Sequence, residues 1–363
     1  MTTIGNVCAF TNGKAHEQNV VEYGEYIIVN SKFISSDGVV KKYSNKQICP
    51  LFKNDIVMVM SDVPNGKAMS KCFCIDKDNK YTLNQRICAL RTKQIPLYYM
   101  MQINRNDYFM KFDDGVKQTN LRKDDVLACP VYSTTIKEQT KIADFLSLID
   151  QRIEKQRRLV ESLKKYKRGL LSAIFDRKLR FKDENGNDYP EWENKKISDI
   201  FKLTRGYVLA TSEISELQTS EFKYPVYSSQ TKNEGLLGYY NKYLYKNAIT
   251  WTTDGANAGY VKFRNGEFYC TNVCGVLLCN KGNCNSYIAE KLNSVTKRHV
   301  SYVGNPKLMN NVMAEIYIDF PSIQEQKRNS KLLTKIDEKI KTSNFLYDRL
   351  ILLKQGLLQQ MFI

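Results

Sequence analysis

The chain has 363 residues, 42% hydrophobic and 11% aromatic, enough for two or three domains with cores of their own, which excludes a disordered tail. No apolar run reaches membrane-spanning length, and Met1-Thr2-Thr3-Ile4-Gly5 lacks the basic-then-apolar opening of a secretory signal, so a cytoplasmic protein with no membrane partner is expected. Lys and Arg number 55 against 38 Asp and Glu, a net charge of +17, which points to a polyanion and most simply to nucleic acid. Ten cysteines without a secretory signal read as free thiols in a reducing compartment.

Residues 1–135 carry short apolar runs such as Tyr26-Ile27-Ile28-Val29 and Ile56-Val57-Met58-Val59-Met60, punctuated by Asn12-Gly13 and Asn65-Gly66 turns; they read as mainly β with some helix. Residues 136–180 change character. Ile142, Leu146, Ile149, Ile153, Gln156, Val160, Leu163, Lys167, Leu170 and Ile174 recur in alternating steps of four and three, the seam of a long heptad helix. Residues 181–322 return to the β-rich composition, with Cys274-Gly275-Val276-Leu277-Leu278 and the Asp254-Gly255 and Asn265-Gly266 turns. Residues 323–363 repeat the helical pattern through Asn329, Leu333, Ile336, Ile340, Ser343, Tyr347, Leu350, Lys354, Leu357 and Met361.

The two helical segments are copies. Ile136-Lys137-Glu138-Gln139 is echoed by Ile323-Gln324-Glu325-Gln326 at an offset of 187, and Ile149-Asp150, Leu159, Lys167 and Gly169-Leu170-Leu171 find their matches at the same offset without a gap. A fainter repeat at an offset of 193 relates Ile4 and Thr11-Asn12-Gly13 to Ile197 and Thr204-Arg205-Gly206. The order is therefore head, helix, head, helix. Each amphipathic helix needs a partner for its seam, and the other copy is the simplest one. The expected fold is α+β: two mainly-β heads separated by two long helices that form an antiparallel coiled coil, with a pseudo-two-fold internal repeat.

Most of the excess charge lies on the helices. Residues 136–180 hold 13 basic against 6 acidic side chains and residues 323–363 hold 8 against 4, whereas 1–135 hold 18 against 13 and 181–322 hold 16 against 15. Arg157-Arg158, Lys164-Lys165 and Lys167-Arg168 are the centre of that excess, readable as a solvated face, a DNA contact or a dock for an acidic partner.

This organisation resembles the specificity subunit of type I restriction-modification enzymes. The residues that carry the resemblance are Pro321-Ser322-Ile323-Gln324-Glu325-Gln326 with Ile336-Asp337, the matching Ile136-Lys137-Glu138-Gln139 with Ile149-Asp150, the junction Tyr189-Pro190-Glu191-Trp192-Glu193, and Trp251-Thr252-Thr253-Asp254-Gly255-Ala256-Asn257-Ala258-Gly259. Thr134 or Thr135 stands where the family usually has proline in the first copy, and the chain starts at Ile4-Gly5-Asn6-Val7 without the short leader many members carry. The resemblance implies two target-recognition domains, 1–135 and 181–322, and two conserved helical regions, 136–180 and 323–363. It also implies a chain that reads double-stranded DNA and holds no catalytic, cofactor or metal site. Two modification subunits supply S-adenosylmethionine chemistry at adenine N6, and ATP- and Mg-dependent restriction subunits supply motor and nuclease.

The residues agree with that division. There is no phosphate-binding Gly-x-x-x-x-Gly-Lys-Ser/Thr loop, no dinucleotide loop and no amino-methyltransferase Asn/Asp-Pro-Pro-Tyr/Phe motif. His16 and His299 are the sole histidines, and the Cys270, Cys274, Cys279 and Cys284 spacing runs into a strand, which favours packed thiols over a zinc knuckle. Major-groove reading uses Arg for guanine and Asn or Gln for adenine, so polar clusters beside turns are the candidates. In the first head these are Asn30, Lys32, Asn65, Lys67, Gln85, Arg86 and Lys117; in the second, Arg205, Tyr227, Ser229, Gln230, Lys232, Asn233, Thr253 and Arg298. Each head is expected to read one half-site of a split, asymmetric target, and the helices to set the gap. A stand-alone nuclease or methyltransferase, or a coiled-coil adaptor that binds nucleic acid without sequence preference, are the rival readings.

Overall fold

The structure, a computed structural model, describes residues 1–63, 68–112, 118–229 and 232–362, with Lys232 described in its backbone only. The chain divides into two compact units, Met1–Gln156 with Leu346–Ile363, and Arg157–Phe345. Both divisions fall inside the long helices Ile136–Phe175 and Ile323–Met361, so each unit holds one β-rich head and a stretch of both helices.

Within each unit the helix stretches run antiparallel. In the first unit Ile142 shares a core cluster with Phe362, and eight residues further along Asp150 Oδ1 accepts a hydrogen bond from Lys354 Nζ at 2.5 Å. In the second, Leu170 and Leu333 share a cluster, Lys167 Nζ meets Asp337 Oδ1 at 2.7 Å and Arg180 reaches Glu325. The Asp150–Lys354 and Lys167–Asp337 pairs are the same pair under the 187-residue offset, so each unit repeats the ion pair of the other. Burial follows the heptad reading. Leu146, Val160, Leu170, Leu333, Ile336 and Leu350 are buried, and Ile142, Ile149, Ile153, Leu163, Ile340, Tyr347 and Leu357 are half-buried.

The helices start in the same way. Gln139 Nε2 donates to the Thr134 carbonyl and Gln326 Nε2 to the Pro321 carbonyl, each at 2.9 Å, with both glutamines buried. Thr134, rather than Thr135, therefore occupies the position of the motif's proline. The next acidic pair diverges. Glu325 is buried and accepts from Arg180 Nε at 3.1 Å and Trp192 Nε1 at 3.1 Å, while Glu138 is exposed and accepts from the Thr134 hydroxyl.

The first head contains a four-stranded antiparallel sheet in the order Ala9–Asn12, Ile87–Arg91, Ile56–Val59, Cys72–Cys74. A second four-stranded sheet joins Val20–Val21, Tyr43–Ser44, Tyr26–Val29 and Tyr81–Leu83, the last pair parallel. The second head has one six-stranded sheet, Lys202–Arg205, Cys274–Leu278, Tyr245–Thr252, Val261–Cys270, Tyr224–Tyr227, Leu236–Tyr240, packed on the helix Ser286–Thr296 and on Leu170, Ile174 and Leu333 of the long helices. The faint repeat is exact in hydrogen bonding at each head's base: Ile4 N donates to Cys129 O at 3.0 Å, and Ile197 N to Ile316 O at 2.9 Å. Gly13 and Gly206 lie so close to the opposite backbone that a Cβ would sit 1.8 Å from Asn84 O and 2.1 Å from Cys270 O, which is why glycine ends both edge strands.

Candidate nucleic-acid interface

In the first head the candidates divide. Asn30 is an N-cap: its Oδ1 accepts from Phe33 N at 3.0 Å at the start of the helix Ser31–Ser35, so its acceptor is committed to the fold. Asn30→Ala is expected to cost about 1 kcal/mol of stability, read as a shift in urea midpoint, before any effect on DNA. Lys32 and Arg86 are exposed, Arg86 in a turn at φ 66°, and Gln85 donates to the Glu17 carboxylate. Asn65, Lys67 and Lys117 lie outside the described residues.

In the second head, Arg205 is exposed and one guanidinium nitrogen donates to Asn272 O at 2.6 Å. Tyr227 ends its strand half-buried with the Arg264 guanidinium 3.7 Å from its ring centre. Burial pushes the Tyr227 hydroxyl above its ordinary pKa and pulls buried Arg264 below its own. Arg264 also donates to Thr250 Oγ1 at 3.1 Å and to Glu234 O at 2.8 Å. Asn233 and Glu234, at φ 48° and 56°, hold left-handed conformations that Arg264 and the Lys262–Glu234 pair at 2.9 Å keep in place. The Ser229 carbonyl accepts from Asn257 Nδ2 at 3.1 Å; Gln230 and the Lys232 side chain lie outside the described residues.

Thr253 is placed differently from the expectation. It is 1% exposed, and its hydroxyl lies 2.7 Å from Asp254 Oδ2 and 3.0 Å from Val273 O. It presents nothing to a base. The Trp251–Gly259 motif is instead a platform: Trp251 Nε1 donates to Leu308 O, Leu308 N to Thr253 O and Gly255 N to Pro306 O, each at 2.9 Å. Arg298 is exposed in the turn Lys297–His299.

On the helices, Lys167 is not a free cation. Burial pulls its ammonium down, but Glu290 at 2.6 Å and Asp337 outweigh that and hold it above the usual lysine value. Lys164, Lys165 and Arg168 are exposed, and Arg157 pairs with Glu161 at 2.5 Å. Sequence reasoning missed a second pattern. The residues just before alternate seam positions are apolar and exposed: Phe145, Leu346 and Leu353 in the first unit, Leu159 and Tyr166 in the second. The heptad count was the signal, because the same position recurs in both copies.

Among the described residues no group of three or more His, Cys, Asp or Glu is placed to hold a metal, and no helix is long and apolar enough to cross a membrane. Cys270 and Cys274 are buried and free, and burial pushes the Cys274 thiol up to about 11.

Paired heads that share a backbone frame but differ in their loops, carried on a duplicated antiparallel helix pair, define a two-part reader built by duplication. The comparisons place it. The type I restriction modification DNA specificity domain matches residues 1–164 and 189–350, and the chain belongs to that family. It is 39% identical over 141 residues to the N-terminus of a putative type I specificity subunit of Mycoplasma pneumoniae, spanning 38% of this chain and 74% of that one. The type I restriction enzyme MpnII specificity subunit of the same organism is 34% identical over 145 residues, 39% of this chain and 43% of that one. The chain spans 39% and 47% of two further putative specificity subunits of that organism. The crystal structure of a type I restriction-modification S subunit from M. genitalium has the same fold, with a TM-score of 0.69 at 19% identity over 99% of this chain and 95% of that one.

Proposed function

We propose that this chain is the non-catalytic DNA-reading subunit of a type I restriction-modification system. It reads a bipartite, asymmetric duplex site, one half-site per head, with the gap set by the helices. One observation carries the reading: the repeat is kept where the heads join the helices and lost where loops face outward. Ile4 and Ile197, Gln139 and Gln326, and the two Asp–Lys pairs repeat atom for atom. Tyr26–Val29 with Tyr43–Ser44 and Tyr224–Tyr227 with Leu236–Tyr240 are matching antiparallel pairs, each beside a parallel third strand, but the connection carries the helix Ser31–Ser35 in the first head and the turn Lys232–Gly235 in the second. A duplicated frame with unlike loops suits two unlike half-sites. Phosphate contacts by Lys and Arg would orient the heads, and a few loop side chains would specify bases.

The chemistry belongs to partners. Adenine methylation in a duplex takes the base out of the stack into a pocket. Two modification subunits would provide that pocket with S-adenosylmethionine, and restriction subunits would use ATP and Mg; the complex would work in the cytoplasm on foreign DNA. The exposed apolar residues flanking the seam are the natural dock for the modification subunits' own helices. Leu353→Glu and Tyr166→Glu are each expected to weaken co-purification of a modification subunit at least about tenfold, while changing stability by about 0.5 kcal/mol or less. Equal co-purification by both variants would remove the helices as the dock.

Methylome sequencing of a host with and without this gene tests the reading. The expected result is one asymmetric, two-block adenine-methylated motif that disappears with the gene. An unchanged methylome alongside active modification subunits would contradict it.

A further inference from the structure

The second head spends many contacts on a loop whose tip is exposed. Residues 301–307 form a tight reversal in which Ser301 N donates to Lys307 O and Lys307 N to Ser301 O, both at 2.9 Å. Its base is bolted to the Trp251–Gly259 platform through Gly255 N to Pro306 O, Leu308 N to Thr253 O and Trp251 Nε1 to Leu308 O. Trp251 and Leu308 are themselves buried, and Gly304 at φ 75° makes the turn at the tip. At that tip Tyr302 is 68% and Val303 92% exposed. Two apolar side chains held rigidly in water on a braced loop contribute no core burial, so the bracing serves what they meet.

The surroundings select the partner. Lys297 and Arg298 immediately precede the loop, both exposed and without an acidic partner among the described residues, and Lys307 closes it, 4.0 Å from Asp254. An apolar tip rimmed by cations fits a polyanion with an apolar interior, which is what stacked base pairs between phosphates provide. An acidic protein groove would suit the same charges, but the loop belongs to a head whose proposed role is DNA reading, which selects DNA. We propose that loop 301–307 is a finger that inserts Tyr302 and Val303 at a base step within or beside the half-site read by the second head, while Lys297, Arg298 and Lys307 hold the adjoining phosphates. Insertion unstacks that step, so the finger reads how easily the step deforms as well as its bases. A stiff β-branched Val and a two-torsion Tyr lose little side-chain freedom on insertion. The inference rests on the DNA-reading function proposed above.

The test uses the full chain and the exposed double variant Tyr302→Ser/Val303→Ser, whose thermal melt should match the wild type because both side chains are mostly exposed and neither belongs to a core cluster. Both proteins select from a duplex library of randomised sequence, and 2-aminopurine is then placed at each position of the recovered site. The wild type is expected to recover two blocks and to raise 2-aminopurine fluorescence at one step of the second block. The variant should keep the first block, lose preference at the step in question, give no fluorescence rise and bind about tenfold more weakly or worse. A variant with the same site, affinity and fluorescence profile overturns the finger. So does a variant that reads DNA normally but no longer assembles with a modification subunit, which would make the tip a protein contact. A wild type that selects no sequence is a different failure, that of DNA reading itself.

Discussion

Arg180→Ala is expected to cost the second unit about 3–5 kcal/mol, the largest effect of any single polar substitution considered, because it strands a buried carboxylate. Glu325 is 1% exposed and takes Arg180 Nε at 3.1 Å and Nη2 at 3.2 Å; only Trp192 Nε1 would remain to it. Arg180 also donates to Glu191 and to the Tyr189 and Pro190 carbonyls, so it ties the junction after the first helix to the start of the second. The cost is read as a shift in urea midpoint. Arg180→Met with Glu325→Leu should recover most of the loss, because an apolar pair leaves no buried charge. A loss under about 1 kcal/mol in Arg180→Ala would class the pair as a surface bridge.

Leu333→Ala is the second large effect, expected at about 2–5 kcal/mol for a fully buried leucine in a packed seam. Leu333 is 0% exposed and joins Leu170, Ile174 and Trp251 in the main cluster of the second unit, so it anchors the helix pair and the head at once. Leu352→Ala is the control: Leu352 is 58% exposed and should change stability by about 0.5 kcal/mol or less. Equal costs at the two positions would mean that the helices are not held along the seam. Leu146→Ala, also at 0% exposure, extends the test to the first unit.

The seam was legible because a heptad repeat states which residues face a partner, and the 187-residue offset states it twice. The antiparallel direction was legible for the same reason, since a duplicated helix pairs most simply with itself about a two-fold. The heads were less so. The parallel pairing of Tyr224–Tyr227 with Val261–Cys270 joins strands that no short turn connects, and sequence carries no local mark of it. Thr253 read as a turn residue open to solvent, yet its hydroxyl and N–H both donate to the Val273 carbonyl and its own carbonyl accepts from Leu308 N, partners distant in sequence that only tertiary structure brings up. Asn30 was visible: Asn followed by Ser and a buried Phe33 is an N-cap pattern, which competes with base reading for the same oxygen. The flanking apolar residues of the helices were in plain view as well. A seam search takes the best-buried stripe and passes over the one beside it.

The central claim is that the helices measure the distance between two independent readings. Inserting one heptad into each helix, after Gln156 and after Phe345, lengthens both by about 10 Å at 1.5 Å per residue and keeps the seam in register. Methylome sequencing of hosts carrying the original and the lengthened chain, each with its modification subunits, should return identical half-sites and a gap longer by up to about 3 base pairs. An unchanged gap with active methylation, or altered half-site bases, would contradict the claim.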